Sequence, residues 1–369
     1  MKVTLFRDLP TERWLSMDRY ADELGSALAA LGCDVRPVTL ARPWPHLRGP
    51  ANTLANYAWR YGLYPRLARR EQGDVNHILD HSYAHLIKHL DPQRTVVTCH
   101  DLAPLTLPAA GLGLSRRLWQ RSYEAMFAAA RIITISHFTR SELQAAHPYP
   151  RERMPVVWYG VNDQFRSPVA PPRIDALRRQ HAPDARPLLL HVGTCQPRKN
   201  VEAILRAVAE LRELRPTFVQ VGGQFSAGQR ALIEALAIGE HVRQAPAASG
   251  EALRAWYQAA DVLVFPSFYE GFGLPVLEAM ASGTPVVCGN ASALPEVAGQ
   301  AAVLIDPHSA GALADGVRTI LSDPTHRQDL VQRGRERSQE FTWARTARET
   351  LAVYQQIYAD LRPPAGRPA

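Results

Sequence analysis

Two successive runs of alternating strand and helix patterns constrain the fold of this 369-residue chain more than any other feature. Short segments rich in β-branched residues recur between longer stretches with helical spacing, which predicts parallel sheets covered by helices. The predicted strands are Lys2–Phe6, Val35–Val38, Val75–Leu79, Thr95–Cys99 and Ile132–Ile135, then Leu188–Val192, Phe218–Val221, Val262–Phe265, Pro285–Cys288 and Ala302–Ile305. The sequence therefore predicts an α/β protein with two doubly wound, Rossmann-like domains, whose ligands bind beyond the carboxyl ends of the strands.

A proline-containing segment, Ser167–Pro172, interrupts the alternation and predicts a linker. We therefore expect one domain at residues 1–166 and another at 173–342. Thr342 is a suitable cap for a final helix at 343–361, before Pro363. In the first domain the helical stretches are 18–31, 52–71, 83–90, 115–130 and 139–146. A cleft between two such domains is the expected ligand site.

Composition excludes several other classes of protein. Hydrophobic residues make up 46% and charged residues 21% of the chain, as in globular rather than disordered proteins. The four cysteines have no paired spacing, so we expect free thiols in a reducing compartment, without disulfides or a zinc site. The N-terminus lacks a signal-peptide core, and no apolar run approaches the ~18–20 residues of a membrane span. These features predict a cytoplasmic protein.

The net charge of +7 is concentrated in the first half of the chain. This excess favours an anionic partner such as a phosphate ligand or a lipid surface, but it is equally typical of a solvated basic face. Two basic segments, Leu114–Tyr123 and Arg66–Arg70, suggest peripheral contact with the inner face of a membrane. The alternative for the first is an ordinary helix that packs Leu118 and Trp119 inward. No nucleic-acid recognition motif accompanies the charge, so we expect no nucleic-acid partner.

The segment after the predicted strand Val262–Phe265 contains two carboxylates around a glycine-bearing loop. Glu270 precedes the loop Gly271–Leu274, and Glu278 lies one turn into the helix that Pro275 begins. Backbone N–H groups at a helix N-terminus form an anion site. Carboxylates beside such a site are suited to accept hydrogen bonds from sugar hydroxyls. The alternative is that they only stabilise the helix N-terminus.

A second strand-and-loop segment ends in Pro197-Arg198-Lys199-Asn200. Cations at a helix N-terminus oppose the helix dipole, so Arg198 and Lys199 are better explained as ligands of a bound diphosphate. The alternative is a pair of surface cations. Such fixed charges would stabilise a leaving nucleotide.

Histidines give a weaker signal. His100 follows the predicted strand Thr95–Cys99, where it is either a site residue or a structural one. Histidines recur every four residues from position 77 to 89, but the first lies in a predicted strand, so they cannot share one helix face. No Asp-x-Asp motif occurs in the sequence. We therefore expect no metal and no cofactor.

Taken together, these motifs resemble the retaining glycosyltransferases of family 4, which have the GT-B fold. The resemblance rests on the Glu270–Glu278 spacing, the Arg198-Lys199 pair, Tyr159-Gly-Val-Asn162 and Ser292-Ala-Leu-Pro-Glu296-Val. It covers nearly the whole chain and is strongest at residues 186–345. It implies an N-terminal acceptor-binding domain, a C-terminal domain that binds the nucleotide sugar, and a final helix that crosses back onto the first domain.

The resemblance assigns a role to each matching residue. Glu270 would contact donor-sugar hydroxyls, Glu278 would bind the ribose diol, and His100 would touch the sugar near the reacting carbon. Arg198 and Lys199 would neutralise the diphosphate. Further substrate contacts are expected from Asp18, Ser136, Gly193, Thr194, Phe272, Gly273 and Leu274.

Two departures from the family pattern stand out. Many members have Arg where this chain has Thr194, and Arg198 would supply the missing charge. Many also have a glycine pair in the first loop, where this chain has Trp14–Tyr20.

The implied activity is metal-independent transfer of a hexose, with retention, from a GDP- or UDP-linked sugar to a hydroxyl of a glycan or lipid-linked glycan. Mannose is the first candidate, because Asp101–Leu105 resembles mannosyltransferases of bacterial surface polysaccharides. The alternatives are a sugar-nucleotide epimerase of the same fold and a catalytically silent nucleotide-sugar-binding protein.

Overall fold

The computed structural model describes residues 1–12, 15–40, 49–103 and 113–361. The chain divides into two compact units, each built on a parallel sheet. The first unit combines Met1–Gly160 with the chain from Trp343 onward, and the second is Val161–Thr342. The predicted α/β class, with two Rossmann-like sheets, is confirmed.

The described sheet of the first unit has the order β2-β1-β3-β4-β5, and all neighbouring strands are parallel. Its strands are β1 (Lys2–Phe6), β2 (Asp34–Val38), β3 (Val75–Ile78), β4 (Thr95–Cys99) and β5 (Arg131–Thr134). The α-helices between and after them are α1 (Leu15–Ala30), α2 (Gly49–Tyr57), α3 (Tyr64–Arg70), α4 (Gly113–Met126) and α5 (His137–Ala146). This order brings the carboxyl ends of β1, β3 and β4 together at one edge of the sheet.

The described sheet of the second unit has the order β11-β10-β9-β6-β7-β8, again with parallel neighbours. Its strands are β6 (Leu188–Gly193), β7 (Thr217–Gly222), β8 (Val242–Ala245), β9 (Val262–Phe265), β10 (Val286–Gly289) and β11 (Val303–Ile305). Its α-helices are α6 (Pro171–His181), α7 (Val201–Glu210), α8 (Ala227–Ala235), α9 (Gly250–Ala259), α10 (Leu274–Ala281), α11 (Leu294–Ala298), α12 (Ala310–Ser322) and α13 (Pro324–Gln339). The chain runs outward from β6 to β8, then returns to β9 on the other side of β6. The β6–β9 boundary is therefore the topological switch point, where ligands of such sheets bind.

The last helix, α14 (Trp343–Asp360), belongs to the first unit. It buries Val353, Tyr354 and Ile357. The hydroxyl of Tyr354 lies 2.6 Å from Nδ1 of His77 on β3, and Thr346 donates from Oγ1 to the Trp158 carbonyl at 2.8 Å. These bonds fix the helix to strand β3 and to the chain at Trp158, both in the first unit. Within the described residues, no helix combines the length and the apolarity needed to span a membrane.

The structure corrects several details of the predicted elements. Strand β8 was not predicted, since its sequence Val-Arg-Gln-Ala is half polar. The predicted helix 83–90 is a 3-10 helix, His81–His89, and the predicted helix 52–71 is α2 and α3 joined by a π-helix, Ala58–Leu63. Trp14, Pro104, Leu105 and Pro363, which entered the sequence predictions, lie outside the described residues.

The predicted linker, Ser167–Pro172, lies inside the second unit. Val169 is buried, its N–H donates to Oε1 of Gln258 at 2.9 Å, and Pro171 begins helix α6. The segment is therefore packed chain rather than a free tether.

Candidate functional site

Two loops meet at the switch point of the second sheet because β6 and β9 are neighbours, with Leu189 paired to Val262. One loop follows β6 and carries Arg198 and Lys199, and the other follows β9 and carries Glu270. Residues separated by about seventy positions in sequence are thereby brought into direct contact. The charged residues of the two predicted motifs therefore lie together.

Two hydrogen-bonding groups join the loops. The Phe268 N–H donates to the Arg198 carbonyl at 2.9 Å. The Asn200 side chain donates from Nδ2 to the carbonyls of Pro266 at 3.2 Å and Pro307 at 2.5 Å. Asn200 has φ +54°, a conformation that asparagine tolerates better than most residues, and it caps helix α7. In the sequence Asn200 is only the last residue of a motif, but in the structure its hydrogen bonds hold the end of the turn that carries the two cations.

Lys199 and Arg198 both bind the carboxylate of Glu270. Nζ of Lys199 lies 2.6 Å from Oε1, and Nη1 of Arg198 lies 3.3 Å from Oε2. Lys199 and Glu270 are buried, whereas a quarter of the Arg198 side chain is exposed. The reading of these residues as two surface cations is therefore wrong for Lys199. The two residues also lie on the 3-10 turn Pro197–Lys199, which precedes helix α7, rather than in its first turn.

The electrostatics of the group favour an ionised Glu270. Burial alone would raise the pKa of this carboxyl, but the charges of Lys199 and Arg198 outweigh burial and lower the pKa below its usual value. The three side chains together carry one net positive charge. This is an environment that a further anion can enter at little electrostatic cost.

The backbone of Glu270 is held by Ser292, which follows β10. The Glu270 N–H donates to Oγ of Ser292 at 2.9 Å, and the Glu270 carbonyl accepts from the Ala293 N–H at 3.3 Å. Ser292 has φ +54°, so the turn is in an unusual conformation for a residue with a Cβ atom. Ser292 lies in one of the motifs that carry the resemblance, and the structure gives it a positioning role that the sequence did not.

The glycine-bearing loop leads directly into helix α10. Gly273 caps the helix with φ +116°, and a Cβ atom there would lie 2.7 Å from Cδ2 of Leu294. Glycine is therefore favoured by the backbone conformation, and any Cβ atom would also displace the Leu294 side chain. Leu274 begins the helix, with Pro275 second, and Phe272 is buried. The first N–H groups of an α-helix have no acceptor inside it, so this helix N-terminus, which follows Glu270 in the same loop, is suited to bind an anion.

Glu278 lies within α10 and is almost fully buried. Its Oε2 accepts a hydrogen bond of 2.8 Å from the hydroxyl of Tyr257 on α9. Both residues are buried, so this bond fixes the orientation of the carboxylate. Tyr257 was not recognised from the sequence, because its position on α9 carries no motif.

The loop after β6 begins at Gly193 and Thr194. Gly193 has φ +145°, its carbonyl accepts from the Gly223 N–H at 2.8 Å, and Thr194 is exposed. Gly223 lies in the loop after β7. A Cβ atom there would lie 2.5 Å from the Cys195 N and 2.8 Å from the Thr194 Cα, so the loops after β6 and β7 are in close backbone contact. The Gln220 side chain adds a bond to the Gly193 carbonyl at 2.8 Å. The substrate-binding roles of Gly193 and Thr194 stay predictions.

His100 lies in the first unit, after β4, and is buried. Its Nε2 donates to the Leu79 carbonyl at 2.6 Å, which leaves Nδ1 as an acceptor for the hydroxyl of Tyr159. Burial is the main cause of its lowered pKa, so the ring is neutral. Both nitrogens are thus bonded within the first unit. The role of His100 at the donor sugar remains a prediction.

Asp18 and Ser136 both lie at the start of a helix, and both have polar partners. Asp18 lies in the first turn of α1, and its Oδ1 is 3.4 Å from Nη2 of Arg7. Ser136 is buried as the N-cap of α5, where its Oγ accepts from the Thr139 N–H at 3.0 Å. The sequence predicts a helix over 18–31 that begins at Asp18, and the structure begins this helix three residues earlier, at Leu15. Substrate contacts by either residue stay predictions.

The recurring histidines are divided between two elements. His77 lies on β3, where it bonds Tyr354 and Oγ1 of Thr98, and the others lie on the 3-10 helix His81–His89. His85 lies 3.0 Å from the Arg60 carbonyl through Nε2. For His77 and His85, these hydrogen bonds explain their place in the repeat structurally.

Comparisons with known proteins agree with this architecture. The family model of glycosyl transferases group 1 matches residues 173–337, and the model of Glycosyltransferase Family 4 matches residues 17–165. A D-inositol 3-phosphate glycosyltransferase of Salinispora arenicola is 30% identical over 90% of this chain and 83% of its own length. The O-antigen chain mannosyltransferase B of Escherichia coli is 29% identical over 72% of this chain and 71% of its own length.

Two solved structures show the same fold. Sucrose-phosphate synthase of Thermosynechococcus elongatus has a TM-score of 0.77, at 24% identity, and covers 98% of this chain and 100% of its own. Anabaena HepE, solved with UDP-glucose, has a TM-score of 0.71, at 17% identity, and covers 98% of this chain and 99% of its own. With two parallel-sheet units, the switch-point site and matches to both family models, the chain belongs to the group 1 glycosyltransferases of family 4 and has the GT-B fold.

Proposed function

We propose that this glycosyltransferase moves a hexose, with retention and without a metal ion, from a nucleoside diphosphate sugar to a hydroxyl of a glycan or lipid-linked glycan. The second unit would bind the donor and the first unit the acceptor. The observation that carries the proposal is the contact of Lys199 and Arg198 with Glu270. It combines one net positive charge, a carboxylate and the N-terminus of α10 in one place.

Each part of this group matches one part of the donor. The diphosphate would accept hydrogen bonds from Arg198, Lys199 and the first N–H groups of α10. Glu270 would accept hydrogen bonds from hydroxyls of the hexose. Glu278, whose orientation Tyr257 fixes, would accept hydrogen bonds from the ribose diol.

The chemical step then needs charge stabilisation at the leaving group. As the bond from the anomeric carbon to the phosphate oxygen breaks, negative charge develops on the diphosphate, and fixed cations stabilise it there without reorganising. The acceptor hydroxyl forms the new bond from the same face, which retains the configuration. Its proton passes to a phosphate oxygen of the leaving diphosphate. This chain's residues would thus supply the positive charge that metal ions supply in other transferases.

The relatives support the donor class and suggest the hexose. Anabaena HepE was solved with UDP-glucose, which supports a nucleotide sugar as donor. The Escherichia coli relative is a mannosyltransferase, which favours mannose and hence GDP-mannose. We propose GDP-mannose as the first donor to test and UDP-glucose as the second.

The first unit also has a surface suited to an anionic membrane. Leu54 and Leu63 are exposed, the latter beside the basic residues Arg66, Arg69 and Arg70 of α3. Apolar side chains flanked by cations are typical of peripheral membrane contact. A lipid-linked acceptor would then be reached from the cytoplasmic face. Co-sedimentation with vesicles containing phosphatidylglycerol, but not with pure phosphatidylcholine, would support this location.

A panel of nucleotide sugars tests the proposed function. We expect one of them to raise the unfolding temperature and to be slowly hydrolysed, with loss of hydrolysis in Glu270→Gln. Protection by one base only would identify the nucleotide. Binding without hydrolysis or transfer, unchanged in Glu270→Gln, would instead indicate a silent binding protein, and conversion to an epimeric sugar would indicate an epimerase.

A further inference from the structure

The first unit contains a cavity of about 260 Å³ that none of the predicted site residues lines. Its described walls include Glu12, Asn56, Tyr57, Arg60, Tyr61 and Trp119. Binding cavities typically combine apolar or aromatic walls with a few fixed polar groups, as this one does. Its volume is below the ~300–1,000 Å³ of pockets that enclose drug-sized ligands, so it suits a single small ring.

The polar wall is organised around Arg60. Nη1 lies 2.8 Å from Oε1 of Glu12, and Nη2 lies 2.6 Å from the Ser82 carbonyl. The guanidinium also lies over the Tyr83 ring, 3.9 Å from its centroid. These contacts fix Arg60 and Glu12, whose side chains are each only 16% exposed. Among the described residues, the buried Nε of Arg60 has no hydrogen-bond acceptor.

The aromatic wall consists of Tyr57, Tyr61 and Trp119. The rings of Tyr57 and Tyr61 are stacked at 5.9 Å with an interplanar angle of 19°, and Trp119 is stacked with Tyr123 at 6.2 Å and 11°. A pyranose ring matches this combination, because its C–H faces pack on aromatic rings while its hydroxyls bond to a carboxylate and an amide. Glu12 and Asn56 are the groups on the wall that suit those hydroxyls.

The charges around the cavity disfavour an anionic sugar. Glu12 offsets Arg60, and Asp80 adds a further carboxylate that accepts from the Ser82 N–H at 2.8 Å. Burial, together with the nearby Asp80, raises the pKa of Asp8 to about 9, so Asp8 is protonated at neutral pH and adds no charge. The neighbourhood therefore carries no positive excess with which to bind a uronate or a sugar phosphate.

We propose that this cavity binds one uncharged pyranose residue of the acceptor glycan, the residue that receives the transferred sugar. The statement that this pyranose belongs to the acceptor rests on the proposed function. The binding of a neutral pyranose in the cavity does not depend on it. Aromatic stacking against Tyr57 and Trp119 would supply affinity, and the fixed Glu12–Arg60 pair would select the hydroxyl pattern.

Ligand-observed NMR on the full chain tests the site without any donor. The probes are methyl α-D-mannopyranoside and methyl α-D-glucopyranoside, with methyl β-D-glucuronide as the charged analogue. We expect a neutral glycoside to bind with a Kd of about 1–10 mM. Tyr57→Ala and Glu12→Gln should each weaken it about 10-fold or more. Tyr358→Ala is the matched control, since its half-exposed ring lines a different cavity of the same unit and should leave binding unchanged.

Several outcomes would overturn the site. The proposed site is refuted if neutral glycosides do not bind. It is also refuted if they bind the folded variants Tyr57→Ala and Glu12→Gln as well as the wild-type protein. Binding lost in Glu270→Gln but kept in Tyr57→Ala would place the sugar in the second unit. Equal or tighter binding of the glucuronide would overturn the preference for an uncharged ring.

The acceptor assignment has its own readout. Incubation with the donor identified by the panel should convert the bound methyl glycoside into a disaccharide glycoside, detected by mass spectrometry. A glycoside that binds at this cavity but is never extended would overturn the acceptor role. Failure of every donor in the panel would instead count against the proposed function, while the donor-free binding result would still decide the cavity.

Discussion

Lys199 and Glu270 form a buried ion pair, with Nζ and Oε1 2.6 Å apart, at the point where the loops after β6 and β9 meet. An ion pair of this kind gives little net stability by itself, because both charges have lost their hydration. It does hold a cation and a carboxylate at fixed positions, four residues before helix α10 in the case of Glu270. We therefore expect binding of the proposed diphosphate to be coupled to breaking of this pair.

Removing only one partner of this pair should destabilise the protein strongly. We expect Lys199→Met to lower the free energy of unfolding by about 3–5 kcal/mol, because it leaves the Glu270 charge buried with only Arg198 beside it. The double variant Lys199→Met, Glu270→Leu should recover most of that loss. Arg318→Met, which breaks an exposed pair with Glu213, is the control and should cost less than about 1 kcal/mol in urea unfolding. A double variant less stable than Lys199→Met would contradict this account.

The same pair predicts a pH dependence. Although burial opposes ionisation, Lys199 and Arg198 lower the pKa of Glu270 below 4.5, so the unfolded chain takes up this proton more readily than the folded one. Glu270 therefore contributes stability that is fully present above pH ~4.5 and is lost as the pH falls through the lower pKa of the folded state. Unfolding temperatures measured from pH 7 to pH 3 should fall more steeply for the wild-type protein than for Glu270→Gln. Parallel curves would show that Glu270 is not the carboxyl with the lowered pKa.

The positive charge of Arg198 should contribute to the binding of the phosphates and not to the binding of the base. Arg198→Gln is expected to weaken binding of the selected nucleoside diphosphate about 10–100-fold, since a hydrogen bond to a charged group contributes about 1.5–3 kcal/mol. Binding of the parent nucleoside should stay unchanged. Arg206→Gln, an exposed arginine on α7, is the charge-matched control for titration calorimetry. Equal weakening of nucleoside and nucleoside diphosphate would refute the assignment.

Fixed cations in place of a metal ion predict insensitivity to chelators. With Arg198 and Lys199 intact, we expect the transfer rate to be the same in EDTA as in Mg²⁺, within about two-fold. Lys199→Gln should lose most of its activity and should not be rescued by Mg²⁺ or Mn²⁺. Loss of wild-type transfer in EDTA, restored by a divalent cation, would mean that the diphosphate is held by a metal.

The sequence predicted the elements that have strong apolar patterns and missed those that do not. Strand β9 is buried along its length and was predicted with correct bounds, whereas the polar edge strand β8 was not predicted. Arg198 and Lys199 were expected at a helix N-terminus, and they lie on the 3-10 turn Pro197–Lys199, directly before Asn200, which has φ +54° and is the N-cap of α7. Such a backbone choice depends on the carbonyls of Pro266 and Pro307, which are distant in sequence.

The candidate site was predictable in its charged groups and not in their supports. Glu270 and Lys199 belong to recognisable motifs. Their contact follows from the order of the strands in the sheet, which cannot be read from a single sequence. Ser292 and Tyr257 act through single hydrogen bonds to these motifs, so neither residue type nor spacing revealed them. His100 was placed correctly after β4, yet its two internal hydrogen bonds could not be foreseen.

The close contact between the loops after β6 and β7 predicts the effect of one methyl group. In Gly223→Ala the new Cβ would lie 2.5 Å from the Cys195 N, so the Gly193–Cys195 backbone must shift. We expect a loss of about 1–3 kcal/mol in stability and weaker binding of the nucleotide sugar. Gly239→Ala is the matched control, because a Cβ atom there meets nothing within 4 Å. The unfolding temperature and the nucleotide affinity should both be unchanged in the control. If Gly223→Ala changes them equally little, the loop tolerates the shift.

Glu278 gives the most specific prediction, because a ribose contact can be separated from a structural one. If its carboxylate binds the ribose diol, the protein should prefer the selected ribonucleoside diphosphate over its 2′-deoxy form by about 10–100-fold. Glu278→Gln should abolish that preference, and Tyr257→Phe, which removes the 2.8 Å bond that orients the carboxylate, should reduce it partly. Competition calorimetry with the ribo and deoxy forms measures the ratio directly. A Glu278→Gln protein that is less stable but keeps the full preference would show that this carboxylate serves the packing of α9 and α10 and not the nucleotide.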